Sequence, residues 1–178
     1  MNLLHDIPAG DPNKTVNVIV EIPIHSHIKY EYHDDVKIIV ADRFLYTAFA
    51  YPFNYGFIPR TWSQDEDALD IVVLASQPVS TGTLIECRVI GMLATEDEEG
   101  TDAKLIAVPK AKVDPGFADI NDITDVPDFT KAKINHFYEN YKTIEPGKWV
   151  KVTGWQDRSA AIKVVEECIA RYNKHFVK

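Results

Sequence analysis

The run Asp65-Glu66-Asp67-Ala68-Leu69-Asp70 places four carboxylates directly ahead of the apolar stretch Ile71-Val72-Val73-Leu74. An acidic turn by itself is a solvated surface feature. This one leads into a strand, so Asp70 is expected at the rim of a core. A second grouping, Glu96-Asp97-Glu98-Glu99-Gly100-Thr101-Asp102, precedes Lys104 in the same way, and Glu31 stands inside Lys29-Tyr30-Glu31. Carboxylates ~4 Å apart repel by ~1 kcal/mol in water and ~4 kcal/mol at an effective dielectric of ~20. Gathering several of them in one place therefore requires cations. Oxygen donors without His or Cys suit Mg²⁺, Mn²⁺ or Ca²⁺ rather than Zn²⁺. A calcium loop starting at Asp65 would want Gly at its sixth position and Glu at its twelfth. Asp70 and Ser76 stand there, which excludes that motif.

Lys29, Arg43, Lys104, Lys142 and Lys148 are cations on or beside the same elements. Residues two apart share one face of a strand, as Lys29 and Glu31 would, and Asp102 and Lys104. Such a pair is either a surface salt bridge or part of a site that holds a metal and an anion side by side. The segment Tyr51-Pro52-Phe53-Asn54-Tyr55-Gly56-Phe57 is dense in aromatics. Phe53 and Phe57 are expected in the core. Tyr51 and Tyr55 carry hydroxyls that need partners when buried, which makes them candidates to face a polar cavity, and Tyr141-Lys142 is a further candidate. His25 and His27 form an H-x-H pair with no third imidazole or thiolate at ligand spacing, and His136 is expected on a helix surface. No phosphate-binding P-loop and no Rossmann glycine turn is present.

The elements that must position these groups are mostly short strands. Val16, Val18, Val20 and Ile22 alternate with a second face until Pro23 ends the run. Residues 37–41, 71–75, 84–93, 104–108 and 149–153 are further β-rich runs, punctuated by Gly82, Gly91, Gly100 and Gly147. Closely spaced short strands predict a small barrel rather than βαβ units. Over 127–141, Ile134, Phe137, Tyr138 and Tyr141 form one apolar helical stripe, with Asp125 as the expected N-cap and Pro127 in the first turn. Ala161, Val165, Cys168, Ile169 and Tyr172 form a second stripe. The Asp- and Pro-rich stretch 113–126 is expected to be a surface loop.

Composition narrows the class. The length fits one domain able to carry its own core. With 46% hydrophobic and 26% charged residues, the chain is a globule rather than a disordered segment. Its formal charge of −8 argues against a phosphate-backbone binder, yet permits a small anionic substrate at a local cation site. Cys87 and Cys168 are far apart and predict reduced thiols in a cytoplasmic protein. No apolar run is long enough for a membrane span, and no secretory leader is expected.

Taken together, the blocks resemble the soluble family I inorganic pyrophosphatases of the bacterial type. They are Glu21-Ile22-Pro23, Ile28-Lys29-Tyr30-Glu31, Asp42-Arg43-Phe44, Tyr51 to Gly56, Asp65 to Asp70, Asp97 to Lys104, His136 to Lys142, and Gly147 to Val152. The resemblance spans nearly the whole chain, 1–178, as a single domain. Its signature usually reads Asp-Gly-Asp-Pro, then an apolar residue and Asp; here Glu66 replaces the Gly and Ala68 the Pro.

The resemblance implies an α+β, mainly β fold, with an OB-like five-stranded β-barrel flanked by two main helices. It implies Mg²⁺-dependent hydrolysis of pyrophosphate to two phosphates, with several Mg²⁺ ions per site. Asp65, Asp70 and Asp102 would bind activating Mg²⁺, with Asp70 bridging two ions. Asp97 and Asp102 would hold another, and Glu31 one that arrives with substrate. Asp67 would be the base, and Lys29, Arg43, Tyr55, Tyr141 and Lys142 the phosphate ligands. Glu21, Tyr51 and Lys104 would support them. By the same resemblance the chain is expected to form a homohexamer, with no nucleic-acid or membrane partner. A barrel that binds metal or a nucleic-acid strand is the competing reading; a strand binder would want a basic groove with stacking aromatics.

Overall fold

The computed structural model describes residues 1–98 and 100–177. Glu99, part of the second acidic grouping, lies outside the described residues. In chain order the elements are β1 (Gly10–Asp11), β2 (Thr15–Ile22), β3 (Ile28–His33), β4 (Ile38–Phe44), β5 (Asn54–Ile58), β6 (Leu69–Val73), β7 (Leu84–Asp97) and β8 (Gly100–Pro109). Then come the 3₁₀ turns Pro115–Phe117 and Ile123–Asp125, α1 (Asp128–Asn140), β9 (Val150–Gln156) and α2 (Arg158–Phe176).

Five strands close on themselves. β2 pairs with β5, β5 with β6, β6 with β8, β8 with β7, and β7 returns to β2. The β6–β8 pair is parallel and the others antiparallel. Numbered in chain order, the ring runs 1-2-3-5-4-1, an OB-like barrel whose closure removes exposed edges. β1 and β9 extend it, and β3 and β4 form a separate two-stranded hairpin. Where β2 and β5 cross, Gly56 has no alternative: a Cβ there would lie 1.9 Å from the Ile19 carbonyl oxygen.

The cores lie on both sides of the barrel wall. Val16, Val18 and Val20 point to one cluster with Ile71, Leu105 and α2 residues Ala161, Val165 and Cys168. α1 delivers Ile134, Phe137, Tyr138 and Tyr141 to a second, against Phe53, Ile90 and Ile106. Burying each large side chain contributes roughly 1.5–3 kcal/mol, so these stripes fix both helices on the barrel. Both thiols are free and buried.

Several details depart from expectation. The alternation of β2 dissolves after Val18, because Ile19 is buried too, beneath Leu4, Ile7 and Tyr172. The aromatic segment contains a strand, β5, that periodicity does not reveal, since Tyr55 and Phe57 on its second face are also covered. Asp125 does not cap α1. Its carboxylate accepts the Asp122 N–H at 3.0 Å, while Asp122 accepts the Thr124 N–H at 3.1 Å, a capping box that closes the second 3₁₀ turn. Pro127 takes the α1 N-cap without a side-chain bond, as its fixed φ allows. The 113–126 segment is not wholly on the surface: Ile123 and Val126 enter the core.

Candidate active site

Of the fourteen residues to which the family resemblance gives a site role, thirteen line one cavity of about 800 Å³; Tyr51 is the exception. Tyr51 does not face the cavity but lies buried behind it, its ring 6.1 Å from that of Tyr55 and 6.5 Å from that of Tyr141. His25 and His27 are not part of the lining. The His27 Nδ1 pairs with the Phe49 carbonyl at 2.9 Å, and His136 is exposed on α1.

Each wall of the cavity comes from a different part of the barrel. β6 presents Asp70, and β8, its parallel neighbour, presents Asp102 and Lys104 on one face. The Lys104 ammonium lies 2.7 Å from Asp102 Oδ2, also contacts Asp70 Oδ2, and donates to the Tyr55 hydroxyl at 3.2 Å. Lys104 is only 9% exposed. Burial works against its charge, but Asp70 and Asp102 outweigh it and push its pKa well above the ordinary value. The hydroxyl of half-buried Tyr55 is pushed well up by desolvation and then by Asp70, so it stays a phenol. Burial likewise raises Glu21 well above the usual carboxylate range, and the backbone N–H of Tyr32, which donates to Glu21 Oε1 at 2.7 Å, offsets only part of that.

The hairpin supplies the opposite wall. Lys29 and Arg43 are direct cross-strand partners in β3 and β4. Lys29 pairs with Glu31, and Asp42 lies 3.7 Å from the Lys29 ammonium and 2.6 Å from Arg43. Glu145 reaches Arg43 Nε at 3.3 Å. Lys142, just past α1, lies 3.2 Å from Asp97 and 3.8 Å from Glu98, and Glu98 is 2.5 Å from Lys148.

The acidic loop between β5 and β6 is pinned at its base by Thr61, which the sequence reading missed. Its fully buried hydroxyl donates to the Ile58 carbonyl at 2.6 Å and accepts the Leu69 N–H at 2.9 Å. One hydroxyl thus ties the last residue of β5 to the first of β6. Within the loop, Glu66 adopts φ 63°, the left-handed region, which accounts for the glycine common at this position of the signature. Asp67 accepts the Ala68 N–H at 2.7 Å. Desolvation, then the charges of Asp70, Asp65 and Glu31, raise its pKa to about 6.

Among the described residues, no three His, Cys, Asp or Glu side chains already converge as a metal cage. The carboxylates are instead held by lysines, above all Asp70 and Asp102 by Lys104. Residues that spacing did not single out also line the cavity: Asp34 and Asp35 at the hairpin turn, and Trp62 and Phe176, whose rings meet edge-on at 5.0 Å.

The sequence model of the family described as inorganic pyrophosphatase matches residues 18–173. The chain belongs to the inorganic pyrophosphatase family. The inorganic pyrophosphatase of Aeropyrum pernix is 50% identical over 165 residues, covering 93% of this chain and 94% of that protein. That of Aquifex pyrophilus is 48% identical, covering 95% and 96%. The crystal structure of the Thermus thermophilus inorganic pyrophosphatase superposes with a TM-score of 0.93 at 47% identity, over 97% of this chain and 99% of that one. The extent of that superposition shows that the mainly β fold with two helices is shared with the Thermus thermophilus protein. No helix among the described residues is long and apolar enough to cross a membrane.

Proposed function

We propose that this pyrophosphatase-family chain, acting as one domain over 1–178, hydrolyses inorganic pyrophosphate to two phosphates with Mg²⁺. The observation that carries the proposal is the alternation of carboxylates and cations around one cavity: Asp65, Asp67, Asp70, Asp97 and Asp102 beside Lys29, Arg43, Lys104 and Lys142. A fixed ammonium between Asp70 and Asp102 marks a place that attracts positive charge. The all-oxygen donor set fits Mg²⁺, with Asp65, Asp70, Asp97, Asp102 and Glu31 as its holders. When bound, such ions lower the pKa of water and neutralise phosphate charge.

The chain's own groups then divide the work. Lys29, Arg43 and Lys142, with the Tyr55 and Tyr141 hydroxyls, bind the phosphate oxygens and offset the charge gathering on the leaving phosphate. Asp67, at the tip of the acidic loop beside Asp65 and Asp70, takes the proton of the attacking water on a carboxylate oxygen. The water oxygen bonds to one phosphorus, the bridging P–O bond breaks, and the bridging oxygen leaves with the second phosphate. Glu21, Tyr51 and Lys104 hold the walls in place. A barrel that binds nucleic-acid strands fits poorly, because carboxylates dominate the lining.

We extend the proposal to a cytoplasmic homohexamer without nucleic-acid or membrane partners. It is supported by the free thiols and by an exposed apolar groove of about 350 Å³, where Phe129 is 78% exposed beside Phe49, Pro52 and Ala132. The test of function is phosphate release from pyrophosphate, with Mg²⁺ against EDTA, and with a nucleoside triphosphate as comparison. Fast Mg²⁺-dependent release from pyrophosphate alone is expected. No release from folded protein with any divalent ion would overturn the reading.

A further inference from the structure

The hairpin wall of the cavity is held differently from the rest. β3 and β4 pair with each other and, among the described residues, share no ladder with the barrel strands. Yet this wall brings Lys29, Glu31 and Arg43, which must keep a fixed distance from the acidic loop if one ligand is to touch both. At the open end of the hairpin, Glu145 meets Arg43 at 3.3 Å. Midway, Glu21 accepts the Tyr32 N–H, and the Tyr32 ring stacks on Phe57 with centres 5.6 Å apart. The closed end, the turn 34–37, needs a further anchor.

Residues 2–5 supply it. Asn2 Nδ2 donates to Asp34 Oδ1 at 2.5 Å, and His5 Nε2 lies 3.2 Å from Asp34 Oδ2. The Leu3 N–H donates to the Tyr32 hydroxyl at 3.1 Å, and that hydroxyl donates to Asn2 Oδ1 at 3.3 Å. The same short segment is fixed to the barrel on its other side. The Arg60 N–H donates to the Leu4 carbonyl and Arg60 Nε to the His5 carbonyl, each at 2.9 Å. His5 Nδ1 lies 2.7 Å from the Tyr172 hydroxyl of α2. With its proton on Nε2, one imidazole serves both neighbours: it donates to Asp34 and accepts from Tyr172. Arg60 follows β5 and leads directly into Thr61, which pins the acidic loop. Residues 2–5 therefore bridge the two walls of the cavity. They stand ahead of the span 18–173 matched by the family model, so that match does not account for them. A partly exposed ion pair contributes little on its own. The weight here lies in convergence, with two side chains meeting on Asp34 and two bonds on the Tyr32 hydroxyl.

We propose that residues 2–5 form a clasp that sets the gap between the phosphate-binding hairpin and the acidic loop, with Asn2 and His5 as positioning residues. The inference rests on the assignment of Lys29 and Arg43 to phosphate made above. Neither Asn2 nor His5 is part of the cavity lining, so they act through the hairpin and not on substrate. Without the clasp the hairpin is in place for only part of the time, and substrate binds that fraction. The cost falls on KM in proportion to the fraction lost. It spares kcat, because bound substrate itself holds the hairpin in place.

The test is steady-state hydrolysis of pyrophosphate in Mg²⁺, with amide hydrogen exchange on the same preparations without substrate. The proteins are the parent, His5→Ala, Asn2→Ala/His5→Ala and His5→Gln. KM is expected to rise about threefold in His5→Ala and about tenfold in the double variant, with kcat within about twofold of the parent. Amides of β3 and β4 should exchange faster while those of β6 and β8 keep their protection. His5→Gln, which still offers Asp34 a donor, should stay within about twofold of the parent KM. A parental KM in the double variant, or parental exchange in its hairpin, would overturn the clasp. So would faster exchange in barrel and hairpin alike at unchanged KM, the mark of a packing role alone. His5→Gln no better than His5→Ala would overturn the bridge from His5 to Asp34. A parent that releases no phosphate would overturn the phosphate assignment instead, and the exchange pattern would still decide whether residues 2–5 hold the hairpin.

Discussion

Lys104 and Asp102 stand two residues apart on one face of β8, and their side chains meet at 2.7 Å at the floor of the acidic cavity. With Asp70 on the neighbouring strand, they form an ion triad in which one cation answers two carboxylates. Removing that cation leaves two like charges facing each other. Lys104→Met is expected to cost about 2–4 kcal/mol in the absence of metal. That is at or below the figure for breaking a fully enclosed pair, because both carboxylates still face the cavity. Mg²⁺ should recover more stability in this variant than in the parent. Urea unfolding with and without Mg²⁺ measures both, and an unchanged metal-free stability would contradict the account.

The second prediction concerns Glu66. Its φ of 63° is a conformation that costs a residue with a Cβ roughly 1–2 kcal/mol. Glycine removes that strain but adds freedom to the unfolded chain, worth roughly 0.4–1 kcal/mol. Glu66→Gly is therefore expected to raise stability by about 0.5–1 kcal/mol. A lower thermal midpoint would show that the Glu66 side chain makes a compensating interaction.

Thr61 is expected to govern the acidic loop without touching substrate. Thr61→Val keeps the shape but strands the buried Leu69 N–H, at a cost of about 1–3 kcal/mol. Turnover should fall as Asp65, Asp67 and Asp70 lose their fixed positions. Unfolding and turnover measured on the same preparation decide this, and parent values in both would remove Thr61 from the account.

Asp122 links the second 3₁₀ turn to the start of α2. The Arg158 N–H, which it accepts at 3.0 Å, and then the Thr124 N–H and hydroxyl hold its carboxyl below the usual range, against a smaller opposing effect of burial. A pKa lowered on folding contributes stability that is full above the unfolded value of about 3.9 and is lost as pH falls through the lower folded value. The parent should therefore exceed Asp122→Asn in stability at pH 7, with the gap closing below about pH 4. Thermal midpoints across that range test it; a gap that widens on acidification would reverse the sign.

Much of the fold and site is visible in residue order, for identifiable reasons. Val16, Val18 and Val20 share one face of β2 and meet one core cluster, as their spacing predicts, although the alternation ends where Ile19 is covered too. The α1 stripe survives because a 3.6-residue period has one way to bury Ile134, Phe137 and Tyr141. Lys29 with Glu31, and Asp102 with Lys104, share faces as strand geometry dictates. What escaped depends on distant partners. Thr61 is one threonine among many until its hydroxyl is seen between Ile58 and Leu69. Glu145 gains meaning only when the fold brings it to Arg43, 102 positions away. Asp125 looked like a helix cap because the residue pattern is the same for a 3₁₀ turn ending two residues earlier.

The most direct test compares phosphate release from pyrophosphate by the parent and by Asp67→Asn, in Mg²⁺, with circular dichroism confirming that both are folded. Asn nearly keeps the shape of Asp67 but cannot take the water's proton, so turnover is expected to fall by roughly 10²–10⁴-fold at unchanged fold. Release by Asp67→Asn at the parent rate would contradict the assignment of this carboxylate as the base.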